Sequence, residues 1–195
     1  EDVSTIVGYF PHDCGMTVDE GRLAFSIPEE QDGRIIHMAA GKTKYRRQTY
    51  EGGEMTLKPV FKIVPVWIER GNRHVTSIRL TAKDGSMISG STSIDISTWN
   101  ATAMSAGVTV RLDEPADCTS GGICVPVMVA DNDTDVYIAE ITTLEGDTFS
   151  MDVTDSMTRQ DKEYELGISQ ALFGSLSKSE AASIVSAGAG YIEVT

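Results

Sequence analysis

Apolar residues in this chain come in short alternating runs, and a polar turn closes most of them. In "HVTSIRLTA", Thr76, Ile78, Leu80 and Ala82 fall on one side of an extended chain, with Val75, Ser77, Arg79 and Thr81 on the other. "LAFSI", "SMISGSTSIDIS", "GVTVRL", "ICVPVMVA", "DVYIAEITT", "DTFSMDVT" and the terminal "YIEVT" have the same character. Turn signals lie between them: "EEQDG", "EGGE", "KDGS", "SGG", "DNDTD" and "LEGD". The pattern predicts an all-β fold, an antiparallel β-sandwich or β-barrel of about nine strands. In "MTLKPVFKIVPVWI", Pro59 and Pro65 suit an edge or a bend better than a central strand.

One segment breaks the rule. In "SLSKSEAASIVSAG", Ser177 and Glu180 form a capping box, Ala181, Ala182, Ile184 and Val185 follow, and Gly188 supplies a stop. This predicts one short C-terminal helix packed on the sheet, because so short a helix is not stable alone. A chain of 195 residues can bury one good core, so residues 1–195 are expected to form a single β-rich domain. "DSMTRQDK" is the best place for a long loop. The longest apolar run, Ile63 to Ile68, is far too short for a membrane span. A start at Glu1 without a leader-like segment fits a processed mature chain.

Charge is distributed unevenly. The total of −13 argues against nonspecific nucleic-acid binding. Residues 113–195 carry 16 acidic and 3 basic side chains, whereas residues 42–83 carry 10 basic and 3 acidic. Either folding brings these regions together, or copies of the chain meet with the basic face of one against the acidic face of the next. The basic region is densest in "GKTKYRR", where Lys42, Lys44, Arg46 and Arg47 surround Tyr45. A phosphate-binding loop would need glycine where Ile36 stands. The strip is therefore read either as a solvated strand or loop, or as a contact for phosphates, an anionic glycan or an acidic protein face, above all that of another copy.

"CTSGGIC" raises the question of what Cys118 and Cys124 do. Extended, the segment would span roughly 20 Å, while a disulfide needs Cα atoms about 5.5 Å apart. Gly121 and Gly122 could reverse the chain by adopting positive φ. Zinc would want further ligands, and only Cys14, His12, His37 and His74 are on offer. A redox pair would want two intervening residues rather than five. A local disulfide is the expectation, ahead of two buried thiols, and would stabilise by about 2 to 2.5 kcal/mol.

Other groups admit two readings each. "DNDTD" places Asp131, Asp133 and Asp135 at alternate positions, as in the first half of a calcium loop. Val136 and Thr142 stand where that loop needs Gly and Glu, which favours an acidic hairpin turn, with calcium as the one cofactor left open. "PHDC" sets His12 and Asp13 beside Cys14, a turn rather than a nucleophile and its base. Trp67 and Trp99 serve a core or a sugar site. Asn100 and Asn132 each begin a glycosylation pattern. With no recognisable catalytic motif, the leading expectation is a non-enzymatic structural subunit of an extracellular or virion assembly, such as a filament, tail tube or capsid. The alternative is a secreted or periplasmic module that binds a glycan or a protein.

Overall fold

The structure, a computed structural model, describes residues 3–11, 14–46, 51–52, 55–154 and 191–193. The first half contains β1 (Val3–Phe10), β2 (Thr17–Asp19), β3 (Arg22–Ile27), β4 (Glu30–Gln31), β5 (Ala39–Arg46), β6 (Glu51–Gly52), β7 (Lys58–Pro59) and β8 (Phe61–Glu69). Then follow β9 (His74–Ala82), β10 (Ser89–Asp95), β11 (Ala101–Ser105), β12 (Gly107–Asp117), β13 (Ile123–Ala130), β14 (Val136–Thr143), β15 (Thr148–Thr154) and β16 (Tyr191–Glu193). The fold is all-β, with no helix among the described residues. The strand segments outnumber the nine or so expected, partly because β2, β4, β6 and β7 are only two or three residues long. The expected helix over 177–187 and the loop over 155–162 lie outside the described residues.

Four sheets form. Their strand orders are β1–β5–β6, with β7 also on β5; β11–β10–β3–β2; β15–β14–β9–β12–β4; and β13–β8–β16. Pairing is antiparallel except at β4 with β12 and β16 with β8. The β8–β13 ladder separates two apolar clusters. Val64, Val66 and Ile68 of β8, with Val125, Val127 and Val129 of β13, pack against Ile78, Leu80, Val108, Val110, Tyr137 and Ile141 of the five-stranded sheet. Alternate residues of the same ladder, Phe61, Ile63, Met128 and Ala130, join Leu23, Phe25, Ile27, Ala40 and Ile94 in the second cluster. Period-two alternation thus sends each strand's side chains into two cores, and Phe61–Ile68 are all buried.

The prolines read as edge signals have two different fates. Val60 forms a bend after Pro59, while Pro65 sits mid-strand, opposite Pro126, with no break in register. Neither proline has an N–H, so this opposed pair must be one that exchanges no hydrogen bonds within the ladder. Residues 128 and 130 share that parity, and their N–H groups do point away from β8. Met128 N donates to Gln31 Oε1 (3.0 Å), and Ala130 N donates to the Ile88 carbonyl (2.8 Å). The buried Gln31 also donates through Nε2 to the Met128 carbonyl at 2.9 Å. The outer edge of β13 is thereby closed by a side chain and a loop.

The alternation predicted for "HVTSIRLTA" holds from Ile78 onward and fails at Val75, which is buried with Ile78 and Leu80. The register on β14 shifts there: Thr142 faces Ser77 but Thr143 faces Val75, leaving Thr76 as the extra residue of a bulge. Its hydroxyl donates to the Thr142 carbonyl at 3.1 Å.

Ile63 and Ile68 test the two-sided ladder, since each enters a different cluster. Ile63→Ala and Ile68→Ala should each lower unfolding free energy by about 2–5 kcal/mol in urea melts, while Met104→Ala, at a position 77% exposed, should stay within about 0.5. Tolerance of either core substitution would mean that β8 has a solvent-facing side.

Candidate functional site: a basic groove along strand β5

The strip expected as an interface is a strand. β5 pairs with β1 over its whole length, from Phe10 opposite Ala39 to Val3 opposite Arg46. Two glycines face each other in this ladder, Gly8 and Gly41. A Cβ on Gly8 would lie 2.6 Å from Met55 Sδ, and one on Gly41 would lie 2.3 Å from the Thr56 carbonyl oxygen. The segment carrying Met55 and Thr56 therefore lies directly on the glycine pair, and it continues into β7, where Lys58 sits opposite Ala40. This crossing positions Thr56 and Lys58 beside Lys42.

Two clefts meet at Lys42. The larger, about 760 Å³, opens where Thr5, Val7 and Lys44 of the β1–β5 ladder diverge from the turns carrying Glu20 and Asp95. The smaller, about 410 Å³, is bounded by Ala40, Gly41, Thr56, Lys58 and Trp99. Lys42 lines both. Its ammonium group donates to the carbonyls of Ile96 and Ser97, which fixes it on the turn after β10.

That turn is organised by Asp95. Its Oδ1 accepts from Ser97 N (2.7 Å), Thr98 N (3.1 Å) and the Ser97 hydroxyl. The Ser97 hydroxyl and these amides hold the carboxyl below the usual Asp range, with Arg22 adding a smaller charge effect. Trp99 N donates to the Asp95 carbonyl at 2.7 Å, and Trp99 has a φ of 64°. Left-handed backbone costs a bulky residue about 1–3 kcal/mol, so the Asp95 network must impose it. The half-buried Trp99 side chain packs against the second apolar cluster and lines the smaller cleft.

Of the expected interface residues, Lys42 and Lys44 line the groove. Tyr45 and Arg46 belong to β5 without described side chains, and Arg47 lies outside the described residues. The sequence did not single out Lys58 or Thr56; the one available signal was the pair of glycines against which their segment packs. Trp67, the other sugar-site candidate, is only 6% exposed and belongs to the interior.

The expected disulfide is absent: Cys14, Cys118 and Cys124 are free thiols. Cys118 lies in the first cluster, tied through its backbone to Arg73 and Gly71. Cys124, opposite Trp67, belongs to the alternate parity of β13, which faces away from that cluster. Cys118 and Cys124 thus lie on opposite sides of the β8–β13 ladder, and a bridge between them would need the backbone to move. Neither Gly121 nor Gly122 adopts a positive φ. Gly122 instead makes room for Trp67, since a Cβ there would lie 2.7 Å from the indole ring. Burial pushes the Cys124 thiol up to about 12, and burial, then the Asp117 charge, raises Cys118.

The "DNDTD" segment is a turn between β13 and β14, which belong to different sheets, rather than the tip of a hairpin. Asp131 is buried while Asp133 and Asp135 are exposed, and among the described residues no group of three His, Cys, Asp or Glu side chains could hold a metal ion. The buried Lys62 reaches into the turn and donates to the carbonyls of Thr134 and Asn132, the latter at 3.3 Å. Its ammonium group lies 5.5 Å from the centre of the Tyr137 ring, whose hydroxyl donates to the Thr134 carbonyl at 3.0 Å. Carbonyls of the kind a calcium ion would take are thus turned toward an internal cation. Asn132 uses its side-chain amide on the Met87 carbonyl (3.0 Å), whereas Asn100 is exposed.

A third polar cluster surrounds His74. Its Nδ1 lies 3.0 Å from Glu145 Oε1 and its Nε2 lies 3.8 Å from Asp117 Oδ1. Hydrogen bonding from His74 draws the Glu145 carboxyl down from 4.5 to about 2. Asp117 also accepts from the Thr119 amide at 2.7 Å, so the cluster ties the ends of β9 and β12 to the turn after β14.

No protein-family model matches this sequence, and no curated protein matches it either.

Two outcomes test these assignments. Without reductant, all three cysteines should react with a thiol reagent after unfolding, while in the native protein at pH 8 Cys118 and Cys124 should alkylate far more slowly than free cysteine. Two missing thiols in the unfolded chain would restore the disulfide. Because the folded pKa of Glu145 is depressed, its contribution is present above pH 4.5 and is lost as pH falls toward about 2. Stability measured across that window should therefore fall less steeply in Glu145→Gln than in the parent.

Proposed function

We propose that this chain is a non-enzymatic structural subunit of an extracellular, periplasmic or virion assembly, a layered β-sandwich whose copies join along the open edge of β1. The observation that carries this reading is the edge itself. Among the described residues β1 pairs only with β5, and its eight residues, "VSTIVGYF", contain no charge and no proline. Ile6 and Phe10 are 43% and 48% exposed. A long, uncharged, apolar edge is a template for adding a strand, and isolated proteins normally blunt such edges.

Charge supports the same geometry more weakly than the sequence suggested. Arg73 pairs with Asp147 (2.8 Å), Lys83 with Asp152, and Arg34 with Asp113 (3.3 Å), so part of the basic and acidic excess is neutralised within one molecule. Lys42, Lys44 and Lys58 have no carboxylate partner within ion-pair distance among the described residues, and they lie on β5 and β7, next to the edge. They would face the acidic rim of a neighbour, as in the head-to-tail association expected from charge. A second reading, a module that binds a glycan or protein, is favoured by the groove at Lys42 and Trp99.

Sedimentation over a wide concentration range at low salt should show association that Ile6→Lys weakens at least about tenfold without lowering the melting temperature. A parent protein that stays monomeric throughout would overturn the assembly reading.

A further inference from the structure

We infer that the groove running along β5 past Trp99 is a binding site for an acidic oligosaccharide, with the Trp99 ring as a platform for a sugar face and Lys42, Lys44 and Lys58 as partners for carboxylates. This deepens the second reading above and is independent of assembly through β1.

The smaller cleft supplies the chemistry. Among the described residues its lining combines a half-buried indole, a threonine and two lysines, and no carboxylate. An indole beside an open cleft offers apolar surface with a polar tip, suited to a ligand with one apolar face and a polar rim. A pyranose ring has that form. The lysines add a requirement for negative charge: Lys58 and Lys44 are exposed, and Lys42 is held at the junction by the Ile96 and Ser97 carbonyls. Lys42 and Lys44 are alternate residues of one strand, so their Cα atoms are roughly 6.6 Å apart and their side chains share a face. A chain of acidic sugars can meet successive lysines along such a row.

The larger cleft continues the site. Glu20 and Asp95 line it together with Lys44 and Thr5. Carboxylates there can accept sugar hydroxyls but would repel a dense polyanion, and this favours a ligand with spaced charges and many hydroxyls over polyphosphate. The backbone at Trp99 is the third observation. A left-handed conformation at a tryptophan is rare, and here the Asp95 turn imposes it while the ring lines the cleft. Strain of this kind gathers at ligand clamps.

Calorimetry and tryptophan fluorescence with trigalacturonate as the probe test the site, with neutral galactotriose and inorganic polyphosphate as controls. Trp67 is buried, so a ligand-induced change in emission reports Trp99. Trigalacturonate should bind and perturb that emission, more weakly as salt rises. Galactotriose should bind at least about tenfold more weakly. Lys58→Gln should cost about tenfold, the loss of one charge-assisted contact. Trp99→Gly, which accommodates the positive φ, should abolish binding seen by calorimetry while the protein remains folded by circular dichroism.

Equal binding of the neutral trisaccharide would overturn the acid selectivity and leave the binding module standing. Polyphosphate binding unaffected by Trp99→Gly, without trigalacturonate binding, would mark a general anion patch and overturn the proposal. Binding of neither saccharide would overturn both the proposal and the glycan form of the module reading. Sedimentation of the same samples reports assembly separately.

Discussion

Eight consecutive residues of β8, Phe61 to Ile68, are shielded from solvent, and strand alternation divides them between two cores. Burying a Val, Ile or Phe side chain stabilises by about 1.5–3 kcal/mol, so the ladder with β13 contributes to both cores through one set of backbone hydrogen bonds. Its sequence has to be apolar on both faces, and that is why it reads as a nearly continuous hydrophobic run rather than an alternating one. The one charge within it, Lys62, sits where its ammonium group reaches the carbonyls of the turn after β13. Burial of a charge is tolerable there because backbone oxygens and the Tyr137 ring replace water.

A ladder buried on both faces has a second problem, its free edge. Three different devices close the outer side of β13: Pro126 removes a donor, Gln31 supplies an amide to both polar groups of Met128, and the Ile88 carbonyl takes the Ala130 N–H. Gln31 itself belongs to β4, which pairs with β12, so the same residue links the edge of one sheet to the backbone of another. β1 carries no device of this kind among the described residues. The contrast within one molecule is why the β1 edge, rather than β13, bears the assembly reading.

The all-β class was legible because alternation and turn chemistry are local signals, and they agree along most of the chain. What failed were features set by contacts distant in sequence. Val75 appeared to face outward because the bulge depends on the register of β14, which a single strand cannot reveal. β5 was read as either strand or loop, since Lys42 and Lys44 mask its alternation, yet its partner glycine, Gly8, lies more than thirty residues away. The two cysteines read as bridgeable because Gly121 and Gly122 could reverse the chain between them. The parity of β13 separates them, and parity is fixed by the Pro65–Pro126 register. The basic strip is visible in the sequence, but the approach of Trp99 to it depends on the Asp95 turn folding back on β5.

The charge pattern acquires a different meaning once the sheets are assembled. Arg73, His74 and Lys83 of the basic stretch lie at or just beyond the ends of β9, with Asp147, Glu145 and Asp152 close by in the same sheet region. Arg79 likewise faces Glu140 across the β9–β14 register. Such exposed pairs add little stability, but they cancel the field that a sum over sequence would suggest. Lys62 and Arg70 are spent on backbone carbonyls, while Lys42, Lys44 and Lys58 are gathered on β5 and β7 around a groove instead of spread over a face. Folding thus pairs off part of the +7 excess over residues 42–83 in one sheet and gathers Lys42, Lys44 and Lys58 at a groove in another. A ligand site of the kind proposed, concentrated on an otherwise acidic molecule, would discriminate by geometry. Long polyanions would meet repulsion beyond the groove, while a short ligand with spaced charges would not.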